Sequence, residues 1–218
     1  MEKVELVIFD MDGLIFDTER LSYLSCVEAA KNFGINFDIN IFYKLLGTNY
    51  DSCRNTLIEQ YGNKIDVDEY MKEKRKINLS LIKDGAKKKP GLDELLVYLT
   101  NKNIKKAVAT SSNREIALEL LEKADVLHYF DYVLCGDEVR KSKPNPEIFL
   151  NVAKKLEVNP RNCIVLEDSE AGVIAASRGK IRVIMIPDVK EPEKEIEELV
   201  YKKLGNLKEV IDVIENLQ

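Results

Sequence analysis

Short apolar runs rich in Val and Ile recur along this chain, and helix-period segments separate the later ones. That alternation limits the fold more than any other feature. The runs fall at 4–9, 106–110, 132–135, 163–166 and 182–186. They are nearly continuous rather than alternating, as strands covered on both faces should be. Amphipathic segments at 113–124, 147–156 and 170–178 lie between the later runs. Strand and helix in turn predict an α/β fold, a Rossmann-like parallel sheet flanked by helices.

The spacing breaks once. Between Phe9 and Lys106 no strand pattern occurs, far more chain than the ~10–12 residues a parallel crossover needs. The gap reads as helices. One opens at Asp17 or Thr18, carries Leu21, Leu24 and Val27, and stops at Gly34; others fit 39–46, 51–61 and 68–82. Residues 16–88 are therefore expected to form a small α-helical domain inserted after the first strand. Residues 1–15 and 89–218 would form the α/β core.

Composition removes several classes of function. A net charge of -5 argues against a nucleic-acid or anionic-membrane surface, which needs a cationic footprint. No apolar run approaches the ~18 residues of a membrane span, and the N-terminus moves straight into the first strand pattern without a signal peptide. Cys26, Cys53, Cys135 and Cys163 lie far apart with no C-x-x-C pair, which suits reduced thiols in a cytoplasmic protein. The Lys87-Lys88-Lys89 run before Pro90-Gly91 reads as a solvated hinge.

In open parallel sheets, ligands bind beyond the carboxyl ends of the strands. The first run delivers Asp10-Met11-Asp12-Gly13 there, the second Thr110-Ser111-Ser112, and the fourth Glu167-Asp168-Ser169; Lys143 follows the third. Hard carboxylates favour Mg²⁺, and the hydroxyls and lysine suit a phosphoryl group. An ionised carboxylate beside a metal can attack phosphorus, and a second can act as general acid and base. Each segment also has a plainer reading. Asp10 and Asp12 could cap a turn, Ser112 and Glu115 form a capping box, and Asp168 or Ser169 could cap a helix. Pro144 holds Lys143 extended, with Asn145 as cap and Pro146 at the first helical position. His128, the only histidine, sits among apolar residues and reads as a half-buried structural residue. No Ser/His/Asp triad, Walker-A loop or G-x-G-x-x-G occurs.

Taken in order, these segments resemble the four motifs of the haloacid dehalogenase superfamily. Asp10-Met11-Asp12-Gly13-Leu14-Ile15-Phe16-Asp17-Thr18-Glu19 is similar to the first and Thr110-Ser111-Ser112 to the second. Lys143-Pro144-Asn145-Pro146-Glu147-Ile148-Phe149 is similar to the third and Glu167-Asp168-Ser169-Glu170-Ala171-Gly172 to the fourth. The resemblance spans essentially the whole chain, and the inserted helices match the cap of the phosphatase and β-phosphoglucomutase subfamily. It implies that Asp10 is the nucleophile and Asp12 the acid and base. Asp10, the Asp12 carbonyl and Asp168 would hold Mg²⁺, with Glu167 beside them. Thr110, Ser111, Ser112, Asn113 and Lys143 would serve the phosphoryl end, and Gly47 and Tyr50 the leaving group.

The chain departs from β-phosphoglucomutase where that family grips a second phosphate. Ser22 stands at its histidine position, Leu46 and Tyr50 at its cap-loop cations, and Asn113 at its lysine after motif two; Gly47 is retained. Arg20, Arg54 or Arg114 could substitute for these cations. The expectation is a monomeric, cytoplasmic, Mg²⁺-dependent phosphatase of a small, sugar-phosphate-like metabolite. A hexose-phosphate mutase is the alternative. A phospho-accepting signalling domain is remote, since the length and motif order differ, and no catalytic position is replaced as a silent binding protein would require.

Overall fold

The computed structural model describes residues 3–46, 48, 50–82 and 85–217. A six-stranded parallel sheet forms the centre, in the order β3-β2-β1-β4-β5-β6. Its strands are β1 Leu6–Phe9, β2 Lys105–Ala109, β3 Tyr132–Leu134, β4 Cys163–Glu167, β5 Arg182–Met185 and β6 Lys202–Lys203. The side chains of β1 alternate between two cores. Val7 and Phe9 enter one with α5 (Leu92–Asn101), α6 (Arg114–Lys123) and α10 (Val210–Glu215). Leu6 and Ile8 enter the other with α7 (Glu147–Lys155) and α8 (Glu170–Arg178). All four are fully buried, and each such side chain contributes about 1.5–3 kcal/mol on burial. Cover on both faces is why these strands read as unbroken apolar runs. A short α9 (Lys194–Glu197) precedes β6.

Strand order runs outward from β1 through β2 to β3, then restarts on the other side at β4. The crevice beyond the carboxyl ends of β1 and β4 is thus a switch point, where α/β sheets bind ligands.

Between β1 and α5 lie α1 (Glu19–Asn32), α2 (Ile39–Leu45), α3 (Tyr50–Tyr61) and α4 (Val67–Ile82). They bury a core of their own around Ala29, Ile41, Leu57, Tyr61 and Tyr70, with Phe37 stacked on Tyr61 and Tyr70. The chain enters and leaves this unit by adjacent crossings: Asp17 N donates to Lys87 O at 2.9 Å and Lys89 N to Ile15 O at 2.8 Å. Lys89 also pairs with the buried Asp188 at 2.6 Å.

Several local expectations need correction. Ser112 does not cap α6; Asn113 does, its Oδ1 accepting from Ile116 N at 3.1 Å. Asn145 does act as a cap, its Oδ1 accepting from Glu147 N at 3.1 Å, but Pro146 precedes α7 rather than opening it. His128 is not half-buried, since its side chain is 59% exposed, because Val126 and its apolar neighbours do the packing there. The sequence pattern assigned no element to 89–105, yet α5 places Leu92, Leu95, Leu96 and Leu99 on one buried face. β6 also escaped, because its two exposed lysines carry no apolar signal. All four cysteines are unpaired. Among the described residues no helix is long and apolar enough to cross a membrane.

Candidate active site

The carboxyl ends of β1 and β4 bring together residues from all four motif segments. Asp10 follows β1 directly and is buried. Lys143, also buried, donates from Nζ to an Asp10 oxygen, to Glu167 Oε1 at 2.6 Å and to Ala109 O at 3.1 Å. The peptide bond between Lys143 and Pro144 is cis. Burial opposes the Lys143 charge, but Asp10 and Glu167 more than offset that, so its pKa is raised. Burial, with Glu167 and Asp12, pushes the Asp10 carboxyl up to about 8 against the pull of Lys143.

Glu167 ends β4 with no exposure and also accepts from Ser169 N at 3.2 Å and Ser169 Oγ at 3.0 Å. Ser169 is the cap of α8, its Oγ accepting from Gly172 N at 3.1 Å, which leaves Asp168 without capping duty. Burial, followed by the charges of Asp10 and Glu167, holds Asp168 well above the usual carboxylate range. Two glycines permit this packing. A Cβ at Gly13 would run into the Asp168 carboxylate, and one at Gly172 into that of Glu167. Asp10, Glu167 and Asp168 each offer an oxygen, all within 4.8 Å of one another. Three converging carboxylates against one ammonium suit a hard divalent cation.

Asp12 sits beside this cluster under three hydroxyls. Thr18 Oγ1 donates to Oδ1 at 2.8 Å, and Ser112 Oγ and Thr110 Oγ1 donate to Oδ2 at 2.7 and 3.3 Å. Thr110 is fully buried, and its Oγ1 accepts from Ser112 N at 3.0 Å. Ser111, Ser112 and Asn113 line a cavity of about 430 Å³ with Asp10, Asp12, Lys143 and Asp168. Tyr50, 60% exposed at the start of α3, lies on its wall. Gly47 falls outside the described residues.

The three arginines expected as replacement cations are engaged elsewhere. Arg54 forms a two-point pair with Asp68 at 2.6 and 2.7 Å. Arg114 reaches Glu138 and Val133 O, and Arg20 lies 3.2 Å from Asp17. None lines the cavity; Lys72, Lys74 and Arg75 of α4 do, with Glu19 and Ser22 of α1, and Lys74 donates to Ser22 Oγ at 3.2 Å. The available signal was the face of α4 itself. Met71, Lys74, Asn78 and Ile82 recur at helical spacing, so polar groups interrupt a stripe that would otherwise be core.

A family model described as haloacid dehalogenase-like hydrolase matches residues 7–186. A phosphorylated carbohydrates phosphatase of Thermotoga maritima is 35% identical over 185 residues, covering 83% of this chain and 84% of its own length. A fructose-1-phosphate phosphatase of Escherichia coli is 32% identical over 175 residues, with 80% and 92% covered. The solved structure of a β-phosphoglucomutase from Clostridium difficile superposes with a TM-score of 0.82 at 27% identity, covering 98% of each chain.

Proposed function

Since the chain belongs to the haloacid dehalogenase-like hydrolase family, we propose that it is a Mg²⁺-dependent phosphatase of a small, sugar-phosphate-like metabolite. The observation that carries this reading is the joint placement of Asp10 and Asp12 at the end of β1. One carboxylate is held against Lys143 and the other is oriented by hydroxyls. Asp10 attacks phosphorus and becomes an aspartyl phosphate as the leaving oxygen departs. Asp12 gives that oxygen a proton, then takes one from the water that attacks the acyl phosphate. Lys143 offsets charge on the transferring oxygens, supported by Thr110 and the Ser111 N–H. Asp10, the Asp12 carbonyl and Asp168 would hold Mg²⁺, with Glu167 behind them, and the ion would neutralise charge on the phosphoryl group. In this reading Ser112 and Asn113 serve the phosphoryl end, and Tyr50 serves the leaving group.

In the same reading, 16–88 is a cap over a core of 1–15 and 89–218. The separate core of α1–α4 and the paired crossings support that division. Closure of the cap would keep bulk water from the first transfer. We further propose a cytoplasmic monomer acting on a small molecule rather than on nucleic acid or a membrane. A hexose-phosphate mutase is the second reading, favoured by the placement of Lys74 and Arg75 on the cavity wall, where a distal phosphate would need cations.

One assay tests both. The purified chain is offered a phosphomonoester panel with Mg²⁺ or with chelator, and free phosphate and isomerised sugar phosphate are counted together. Phosphate release that needs Mg²⁺ is expected, with Asp10→Asn reducing turnover to background while the fold persists. Isomerised product without phosphate would establish the mutase, and full activity in Asp10→Asn would exclude Asp10 as nucleophile.

A further inference from the structure

The part of the cavity wall built by α1 and α4 carries polar atoms that the proposed phosphoryl transfer does not use, with Glu19 next to the catalytic acids. Glu19 and Ser22 stand one turn apart on α1, and Lys74 and Asn78 one turn apart on α4; all four line the cavity. Among the described residues no hydrogen bond reaches the Glu19 carboxyl; burial, then the charge of Asp12, pushes it up to about 8 against the pull of Lys74. Asn78 Oδ1 is a buried acceptor without a partner. Lys74 has three N–H donors and one bond, from Nζ to Ser22 Oγ at 3.2 Å. Buried acceptors are costly to leave unmade, so this wall is matched to a ligand that brings hydrogen-bond donors.

We propose that Glu19 and Asn78 select the leaving group, accepting hydrogen bonds from the hydroxyls of a polyhydroxylated monophosphate. The proposal rests on the phosphatase reading of this site and adds its specificity. A hydroxyl both donates and accepts, so neighbouring hydroxyls can give protons to Glu19 or Asn78 and receive one from Lys74. A second phosphate or a carboxylate offers acceptors only. Beside Glu19 and Asn78 it leaves both acceptors without a donor, and the wall disfavours it. Ile116 and Leu120 supply apolar surface on the same cavity for the C–H faces of a sugar or polyol.

The test compares kcat/KM for glucitol 6-phosphate, fructose 1,6-bisphosphate and p-nitrophenyl phosphate, whose leaving group has no hydroxyl donors to offer before cleavage. Glu19→Gln keeps the shape and puts an N–H donor where one carboxyl oxygen accepts. It should lower the preference for the monophosphate over the bisphosphate about tenfold. Asn78→Leu removes the acceptor and should lower the preference for glucitol 6-phosphate over p-nitrophenyl phosphate about five- to tenfold. Asn78→Ala gives the same readout should the leucine disturb α4. Unchanged preferences in these variants overturn the assignment. So does an equal loss on every substrate with a raised Mg²⁺ requirement, which would put Glu19 at the metal instead. Wild-type hydrolysis with unchanged preferences overturns this proposal alone. Wild-type failure on all three compounds overturns the phosphatase reading and this one with it.

Discussion

Asp12 is gripped by hydroxyls from two distant parts of the chain, Thr18 six residues on and Ser112 a hundred residues on. A carboxylate held this way keeps one orientation, which a proton donor to a leaving oxygen needs. Ser112→Ala removes the 2.7 Å bond to Oδ2. Hydrogen bonds to charged groups contribute about 1.5–3 kcal/mol, so kcat should fall about 10- to 100-fold with KM little changed. Ser112→Thr, which keeps the hydroxyl, should recover most of the loss. Steady-state kinetics on the best phosphomonoester checks this, and an alanine variant with full kcat would show that Ser112 does not position Asp12. These hydroxyls also explain where local sequence signals misled. Thr18 and Ser112 are capping residue types at helix starts, yet neither side chain caps, and Asn113 caps α6 instead. A capping pattern shows that a hydroxyl is wanted at a helix start. It does not show whether a backbone N–H or a remote carboxylate receives it. Asp10, Asp12 and Asp168 were legible because they follow strand patterns whose ends the sheet brings to one rim, whereas Lys143 reaches Asp10 from the loop between β3 and α7.

At the scale of elements, α8 is packed so closely under β4 that its third residue has no room for a side chain. Gly172 lies against the Glu167 carboxylate, which Lys143 and Ser169 also hold. Replacing glycine by alanine inside a helix ordinarily gains up to about 1 kcal/mol. Here the sign should reverse, because the new Cβ must displace a buried carboxylate that has no free volume around it. Overpacking of this kind costs about 1–3 kcal/mol. Gly172→Ala should therefore lower the urea midpoint without changing the slope and weaken turnover as Glu167 and Lys143 shift. A variant as stable as the parent would mean that Glu167 moves freely. Elements were legible where burial left a pattern. The runs at β1 and β4 are apolar because cores cover both faces. By contrast, β6 is held to β5 through backbone bonds while Lys202 and Lys203 face water. Helix α5 ends only a short turn before β2, so its leucine stripe adjoins a strand pattern without a clear stop signal.

Over the whole molecule the formal charge of -5 is a poor guide to phosphate handling, because charge is concentrated rather than spread. Three carboxylates and Lys143 meet at the switch point of the sheet, and both Asp10 and Asp168 are held above the usual carboxylate range. Burial, and after it the neighbouring carboxylates, raise the energy of the ionised, metal-free cluster, and a divalent cation at this point would offset both. A ligand that binds only the folded chain stabilises it by ~2.7 kcal/mol at a hundred times its Kd. For a chain of this size, each kcal/mol moves Tm by roughly 2–4 °C, so saturating Mg²⁺ should raise Tm by about 5–10 °C over chelator. Asp168→Asn gives an opposing pair of effects that separates this account from general salt stabilisation. It removes one repelling charge, so the metal-free variant should melt higher than the metal-free parent. It also removes a ligand, so most of the Mg²⁺ increment should vanish. Thermal melts of both proteins in chelator, Mg²⁺ and matched ionic strength with KCl measure all of these together. An increment that survives in Asp168→Asn would place the cation away from the β1–β4 crevice.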